Sequence, residues 1–139
     1  MRNKALNNRL VSVAYDLMTG SKPSVYKDKL LTKDRQYIDE KYSSQIASFS
    51  VSVAMIGIRP TVAMYYEKGG ASVDTHNIVG LIAEILIIEG KLKKDADQPA
   101  AKTLFNIVMK AEQTELDTLR KDIIDIAVAL KVVLRTFIK

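Results

Sequence analysis

One long apolar segment, broken at a single point, constrains the fold of this chain more than any other feature. It reads YSSQIASFSVSVAMIGIRPTVAMYYEKG, from Tyr42 to Gly69, and is interrupted only at Gly57-Ile58-Arg59-Pro60. Glycine suits the position that ends a helix, and proline suits the first turn of the next one. We therefore predict two buried helices joined at this break, helix 2 at about Lys33–Ile56 and helix 3 at about Pro60–Lys68.

Two other structures compete for this segment. Serines alternate with apolar residues from Ser48 to Val53, which is typical of a β-strand. We favour a helix, because the rest of the chain offers no partner strand. The stretch from Ile46 to Tyr66 is also long enough to cross a membrane. However, Arg59 would lie within that span and Pro60 would break it, so we predict no membrane helix.

Apolar residues at helical spacing predict the other four helices. Thr32 is a fair N-cap for helix 2, and helix 1 covers about Asn3–Thr19. Helix 4 covers about Thr75–Glu89 and contains the run Ile85–Ile88, which indicates either a central position or a surface that faces a partner. Helix 5 covers about Pro99–Lys110.

The last helix is predicted at about Gln113–Ile138. Its apolar stripe consists of Leu116, Leu119, Ile123, Ala127, Leu130, Leu134 and Phe137. A length of 139 residues suffices for one substantial core. We therefore predict an all-α fold, a single-domain bundle of about six helices over residues 1–139.

The side chains that most enzymes use are scarce. The chain has no cysteine, and His76, its only histidine, falls where helix 4 is predicted to begin. Gly69-Gly70 lacks the Gly-Lys-Ser/Thr of a phosphate-binding loop. We therefore predict no catalytic residue, no metal site and no cofactor, and a small helical enzyme is the least favoured of three interpretations.

Basic residues are concentrated in the first third of the chain. The net charge is +5, and residues 1–41 hold nine Lys/Arg against five Asp/Glu. Such a local surplus indicates a polyanionic partner, although a solvated surface explains it equally well. Eight residues are candidate contacts to a phosphate backbone: Arg2, Arg9, Lys22, Lys27, Lys29, Arg59, Lys131 and Arg135.

The candidates on the last helix have two explanations. Lys131, Arg135 and Lys139 form a basic strip, and would join Arg2 and Arg9 in one face if the first and last helices are neighbours. The last helix is also acidic at its start and basic at its end, a distribution that the helix dipole explains by itself. Both explanations stay open at this point.

The broken segment resembles the small α-helical subunit of type III-B CRISPR effector complexes, the Cmr-module small subunit. The shared pattern is a Tyr, an apolar helix, Gly-apolar, a short apolar helix and a basic-Gly stop. Here it reads Tyr42, Gly57-Ile58, Val62-Ala63-Met64-Tyr65 and Lys68-Gly69. The end of the chain, with Ala127-Val128-Ala129-Leu130-Lys131 and Leu134-Arg135-Thr136-Phe137, is similar to the family's last helix. Ser50 stands where the family often has Pro, and the loop Lys91–Gln98 has no clear counterpart.

The resemblance implies a non-catalytic role in a cytoplasmic ribonucleoprotein of antiviral defence. Copies of such subunits stack head to tail and brace the duplex of guide RNA and target RNA beside other Cmr subunits. RNA contact would then run through Lys and Arg to the phosphate backbone, and Arg59 would be the one contact from the broken segment. The main alternative is a helical protein–protein adaptor or dimerisation module without nucleic-acid binding.

Overall fold

The computed structural model describes residues 4–32, 34, 36–67 and 74–138 of the chain. Within these ranges it contains six α-helices and no strand, which confirms the all-α prediction. A 3₁₀ turn at Lys27–Leu30 lies between the first two α-helices. The α-helices are α1 (Lys4–Thr19), α2 (Lys41–Ile56), α3 (Ile58–Tyr66), α4 (His76–Ile88), α5 (Ala100–Lys110) and α6 (Gln113–Thr136).

Helix α4 occupies the centre of the bundle. It packs against α3, α5 and α6, and the 3₁₀ turn also contacts it. Its side chains Ile78, Leu81, Ile82 and Ile85 are fully buried. Burial of a large aliphatic side chain contributes about 1.5–3 kcal/mol, so this helix supplies a large share of the core's hydrophobic stabilisation. The predicted central position of the helix is confirmed.

Helix α6 is flanked by α1 on one side and by α2 on another. Six residues of the predicted stripe are buried: Leu116, Leu119, Ile123, Ala127, Leu130 and Leu134. The seventh, Phe137, follows the helix and is half-buried. The stripe joins the buried residues of the other helices in one hydrophobic cluster. The last helix thus closes the bundle along most of its length.

The break in the apolar segment is a sharp helix–helix junction at Gly57. Its φ of 95° lies in the left-handed region that favours glycine, and its N–H donates to the carbonyl of Val53 at 3.1 Å. Helix α3 begins at Ile58, so Pro60 falls in its first turn, where a missing N–H is tolerated. The hydroxyls of Ser52 and Thr61 are 2.8 Å apart and tie α2 to α3 across the junction.

Two predictions for the second helix were wrong. Its second half was predicted to be buried, but only one stripe of α2 faces the core, and Val51, Met55 and Ile56 are exposed.

The predicted start of the second helix was also wrong. Helix α2 begins at Lys41 rather than Lys33, a residue outside the described ranges. The Asp34 carboxylate accepts hydrogen bonds from the Thr32 hydroxyl and the Gln36 N–H, which closes a turn and not a helical cap. The Ile38 N–H then donates to the Phe137 carbonyl at 2.9 Å. This long-range contact outweighs the local helix signal at Thr32.

Candidate nucleic-acid interface

Helices α1 and α6 are neighbours and run in the same direction. Leu10 of α1 lines a small cavity together with Asp122 and Ile126 of α6. Further along both helices, the ring centroids of Tyr15 and Phe137 are 6.0 Å apart. A joint basic face requires that the first and last helices be neighbours, and this condition is met.

The basic strip of α6 nevertheless points away from α1. A helix turns about 100° per residue, so Lys131 lies about 180° around the axis from Asp122. By the same geometry, Arg135 lies about 180° from Ile126. Since Asp122 and Ile126 face α1, the structure does not bring Arg9 onto one face with Lys131 and Arg135. Arg2 and Lys139 lie outside the described residues.

Arg9 is neutralised locally. Its Nε donates to Glu89 Oε1 at 2.9 Å, and its Nη2 lies 2.7 Å from the same oxygen. The carboxylate belongs to the residue that follows α4, and its side chain is only 10% exposed. Beside Leu10, Glu89 lines a small cavity together with Lys91 and Asp122. The charge of Arg9 is thus used in a structural ion pair between α1 and the end of α4.

Arg59 forms a bridge between α3 and the end of α5. Its Nε donates to the Val108 carbonyl at 3.1 Å, and its Nη2 donates to the Ala111 carbonyl at 2.8 Å. Carbonyls at the end of a helix lack intrahelical partners and carry partial negative charge. The guanidinium satisfies two of them, so its main visible role is to cap α5.

The three candidate lysines that follow α1, one in the loop and two in the 3₁₀ turn, occupy three different environments. Lys22 lines a cavity of about 830 Å³ between this loop and the loop before α5. The Lys27 ammonium lies over Gly20, at the C-terminal end of α1, where the helix dipole favours a cation. Lys29 is exposed, and its Nζ is 5.5 Å from the centroid of the Tyr26 ring. Cation–π attraction orders this side chain but leaves its charge accessible.

A half-buried carboxylate fixes the loop that precedes the 3₁₀ turn. Glu84 of α4 accepts a hydrogen bond from the Ser24 hydroxyl at 2.5 Å and another from the Val25 N–H at 2.8 Å. Burial raises the pKa of the Glu84 carboxyl, and the two hydrogen bonds oppose that shift. Sequence reasoning missed this role, because nothing local to Glu84 indicates a partner on the loop.

Lys131 and Arg135 remain as an accessible cationic turn. They are one helical turn apart on α6, Arg135 is exposed and Lys131 is half-buried. Within the described part of the chain, neither side chain makes an ion pair or a side-chain hydrogen bond. A polyanion that approached α6 from this side would meet two positive charges aligned along the helix axis.

Tyr15 is a further exposed group that the sequence did not single out. Its side chain is 51% exposed, and the neighbouring Phe137 is half-buried. Among the other tyrosines with described side chains, Tyr26, Tyr42 and Tyr65 are buried in the core. Tyr37 and Tyr66 are half-buried. His76 is also explained by packing: its Nδ1 lies 2.9 Å from the Tyr66 carbonyl.

Comparison with protein-family models, with curated proteins and with solved structures finds no match to this chain. Among the described residues, no helix combines the length and the hydropathy that a membrane span requires. In the same ranges, no cluster of three or more His, Asp or Glu side chains is arranged to hold a metal ion.

Proposed function

We propose that this chain is a non-catalytic structural subunit of a type III-B CRISPR RNA-guided ribonucleoprotein of the cytoplasm. In this role it braces the duplex of guide RNA and target RNA through contacts to the phosphate backbone. The support from sequence is the resemblance of the broken segment and the last helix to the Cmr-module small subunit. The helical bundle and the junction at Gly57 are compatible with that resemblance.

The observation that carries the RNA contact is the cationic turn of Lys131 and Arg135. Phosphate contacts need positive side chains that are accessible and uncommitted, and these two meet the condition within the described residues. Lys22 and Lys29 are secondary contacts on the loop after α1. Arg9 and Arg59 have structural partners, and Lys27 lies against Gly20 at the end of α1, so we assign these three at most a minor share of the binding energy.

Binding of this kind is independent of base sequence. Lysine and arginine contacts to phosphates position a nucleic acid without reading it, and they weaken at high salt because counterion release then contributes less. In the proposed complex, base pairing between guide and target supplies the specificity. The subunit contributes positive charge, together with contacts to other Cmr subunits and to further copies of itself.

Co-purification tests this proposal. The tagged chain is expressed in its native host, captured, and analysed for protein and RNA before and after nuclease treatment. We expect several further subunits and short guide RNAs of uniform length. Recovery of a single protein partner and no RNA would instead support the helical adaptor, an alternative that the exposed apolar face of α2 favours.

A further inference from the structure

Beyond its first residue, the exposed Lys41, the solvent-facing side of α2 carries no charge. No Lys, Arg, His, Asp or Glu occurs from Tyr42 to Ile58, although charged residues make up 27% of the chain. Large apolar side chains are exposed there: Val51 at 62%, Met55 at 77% and Ile56 at 52%. Scattered exposed apolar residues are ordinary, but an uncharged helix face of this length marks an interaction surface.

The α2 face, defined as Ser44, Ala47, Ser48, Val51 and Met55, follows one side of the helix. These residues recur at spacings of three and four, so they lie along one stripe. The opposite stripe, Ile46, Phe49 and Val53, is buried in the bundle. Hydrogen bonds to α3 come from a flank of α2, so neither α3 nor the core covers the α2 face.

The side chains of the α2 face change in size along the helix. Ser44, Ala47 and Ser48 are small and occupy the first half, whereas Val51 and Met55 are larger and occupy the second half. Two such helices that pack antiparallel about a two-fold axis place the large half of each against the small half of the other. Small residues allow the helix axes to approach closely, and the large residues fill the space opposite them.

We propose that the α2 face is the interface of a symmetric homodimer in which two copies of α2 pack antiparallel. The gradient of side-chain size favours a second copy over other occupants, because the face is complementary to itself when reversed. Each copy carries a net charge of +5, so two copies repel each other, and contact through a face with no charge beyond Lys41 limits that repulsion. An acidic or basic partner would find no complementary charge on this surface, whereas an identical apolar face matches it in length, polarity and shape.

The expected affinity is modest. A helix of 16 residues is about 24 Å long, and a pair of such helices buries less than the roughly 1,200 Å² of a standard stable interface. We therefore expect a reversible dimer that forms at micromolar concentrations. This inference does not rest on the proposed RNA-bracing role, because it concerns the free chain. A closed two-fold pair also differs from a head-to-tail stack, which uses two different surfaces.

Sedimentation velocity on the full chain without RNA tests the inference. Over about 1 µM to 1 mM, a range that brackets weak interfaces, we expect the mass to rise from 15.5 kDa toward twice that value. Met55→Lys buries an unpaired charge in the dimer and should weaken association at least about tenfold. Val25→Lys is the matched control, because Val25 is 67% exposed on a different surface, and it should dimerise as the parent does.

Disulfide trapping tests the antiparallel orientation of the two α2 helices. The described residues include no native cysteine, so an introduced cysteine has no competing partner there. Residues 44 and 55 are about 16.5 Å apart along α2, so neither can meet its own counterpart in the antiparallel pair. A mixture of Ser44→Cys and Met55→Cys should therefore cross-link, and each variant alone should not. A monomer throughout the concentration range, dimerisation that Met55→Lys leaves unchanged, or cross-linking of each variant only with itself would overturn the proposal. Circular dichroism verifies that every variant is folded.

Discussion

The ring of Tyr26 occupies the space where a side chain at Gly80 would lie. Gly80 is inside α4 and fully enclosed, and a Cβ at this position would overlap the Tyr26 ring. The ring cannot move aside easily, because it is buried and its hydroxyl accepts a hydrogen bond from the Ala101 N–H at 3.1 Å. This one aromatic side chain thus joins the loop after α1 to both α4 and the start of α5.

We predict that Gly80→Ala destabilises the protein, although alanine is the better helix former. Overpacking of a close contact costs about 1–3 kcal/mol, and the helix preference of alanine returns about 1 kcal/mol of that. Urea unfolding followed by circular dichroism measures the change. The variant Tyr26→Leu removes the ring, so adding Gly80→Ala to that background should be neutral or stabilising. Equal effects of Gly80→Ala in both backgrounds would contradict the contact.

Helix positions and the core stripe were predictable because they depend on local periodicity. Leu116, Ile123 and Leu130 are spaced so that one face of α6 must be apolar, whatever it packs against. Gly57 likewise ends a helix for reasons that lie within its own backbone. Such features need no knowledge of the other helices.

Features that depend on distant contacts were not predictable. The bonds from Arg59 to the carbonyls of Val108 and Ala111 require that α3 lie beside the end of α5, and periodicity does not specify that arrangement. The separation of Arg9 from Lys131 has the same origin, since it depends on which side of α6 faces α1. Sequence identified the charged side chains, and packing decided which of them remain accessible.

We predict that Arg59→Gln lowers the stability of the protein more than Arg135→Gln does. The substitution removes two hydrogen bonds from a charged donor to carbonyls at the end of α5, which we expect to cost about 1–2 kcal/mol. Arg135→Gln is the matched control: it removes an exposed charge and should change the free energy of unfolding by less than about 0.5 kcal/mol. Chemical denaturation of both variants checks the difference. A larger loss of stability for Arg135→Gln would refute the capping role of Arg59.

We predict that protonation of Glu84 stabilises the protein. The free energy of unfolding should increase as the pH falls through the raised pKa of this carboxyl. Burial raises the pKa in the folded state, so between the unfolded and folded values the folded chain binds more protons. The free energy of unfolding therefore decreases as the pH rises through this window, and the stabilising contribution is present below it. Thermal melts from pH 4 to pH 7 cover the range above an ordinary carboxyl pKa of about 4.3 and measure how the melting temperature changes with pH.

The variant Glu84→Gln isolates that contribution. Glutamine does not titrate, so the difference in melting temperature between the parent and the variant should change with pH in the predicted direction. The amide also places a donor opposite the Val25 N–H or the Ser24 hydroxyl, so we expect the variant to be less stable overall. Parallel melting curves for the two proteins across the whole range would contradict the assignment of the pH dependence to Glu84.

RNA binding by variants of the α6 cationic turn tests the central claim most directly. We compare Lys131→Glu/Arg135→Glu with Lys102→Glu/Lys110→Glu, which reverses the same number of charges on exposed residues of α5. Filter binding to a guide–target RNA duplex over a range of salt concentrations gives the affinity and its salt dependence, and circular dichroism verifies folding. We expect the α6 variant to bind at least about tenfold more weakly, with a smaller salt slope, than the α5 variant. Equal affinities of the two folded variants, or binding by the parent that does not depend on salt, would contradict the claim.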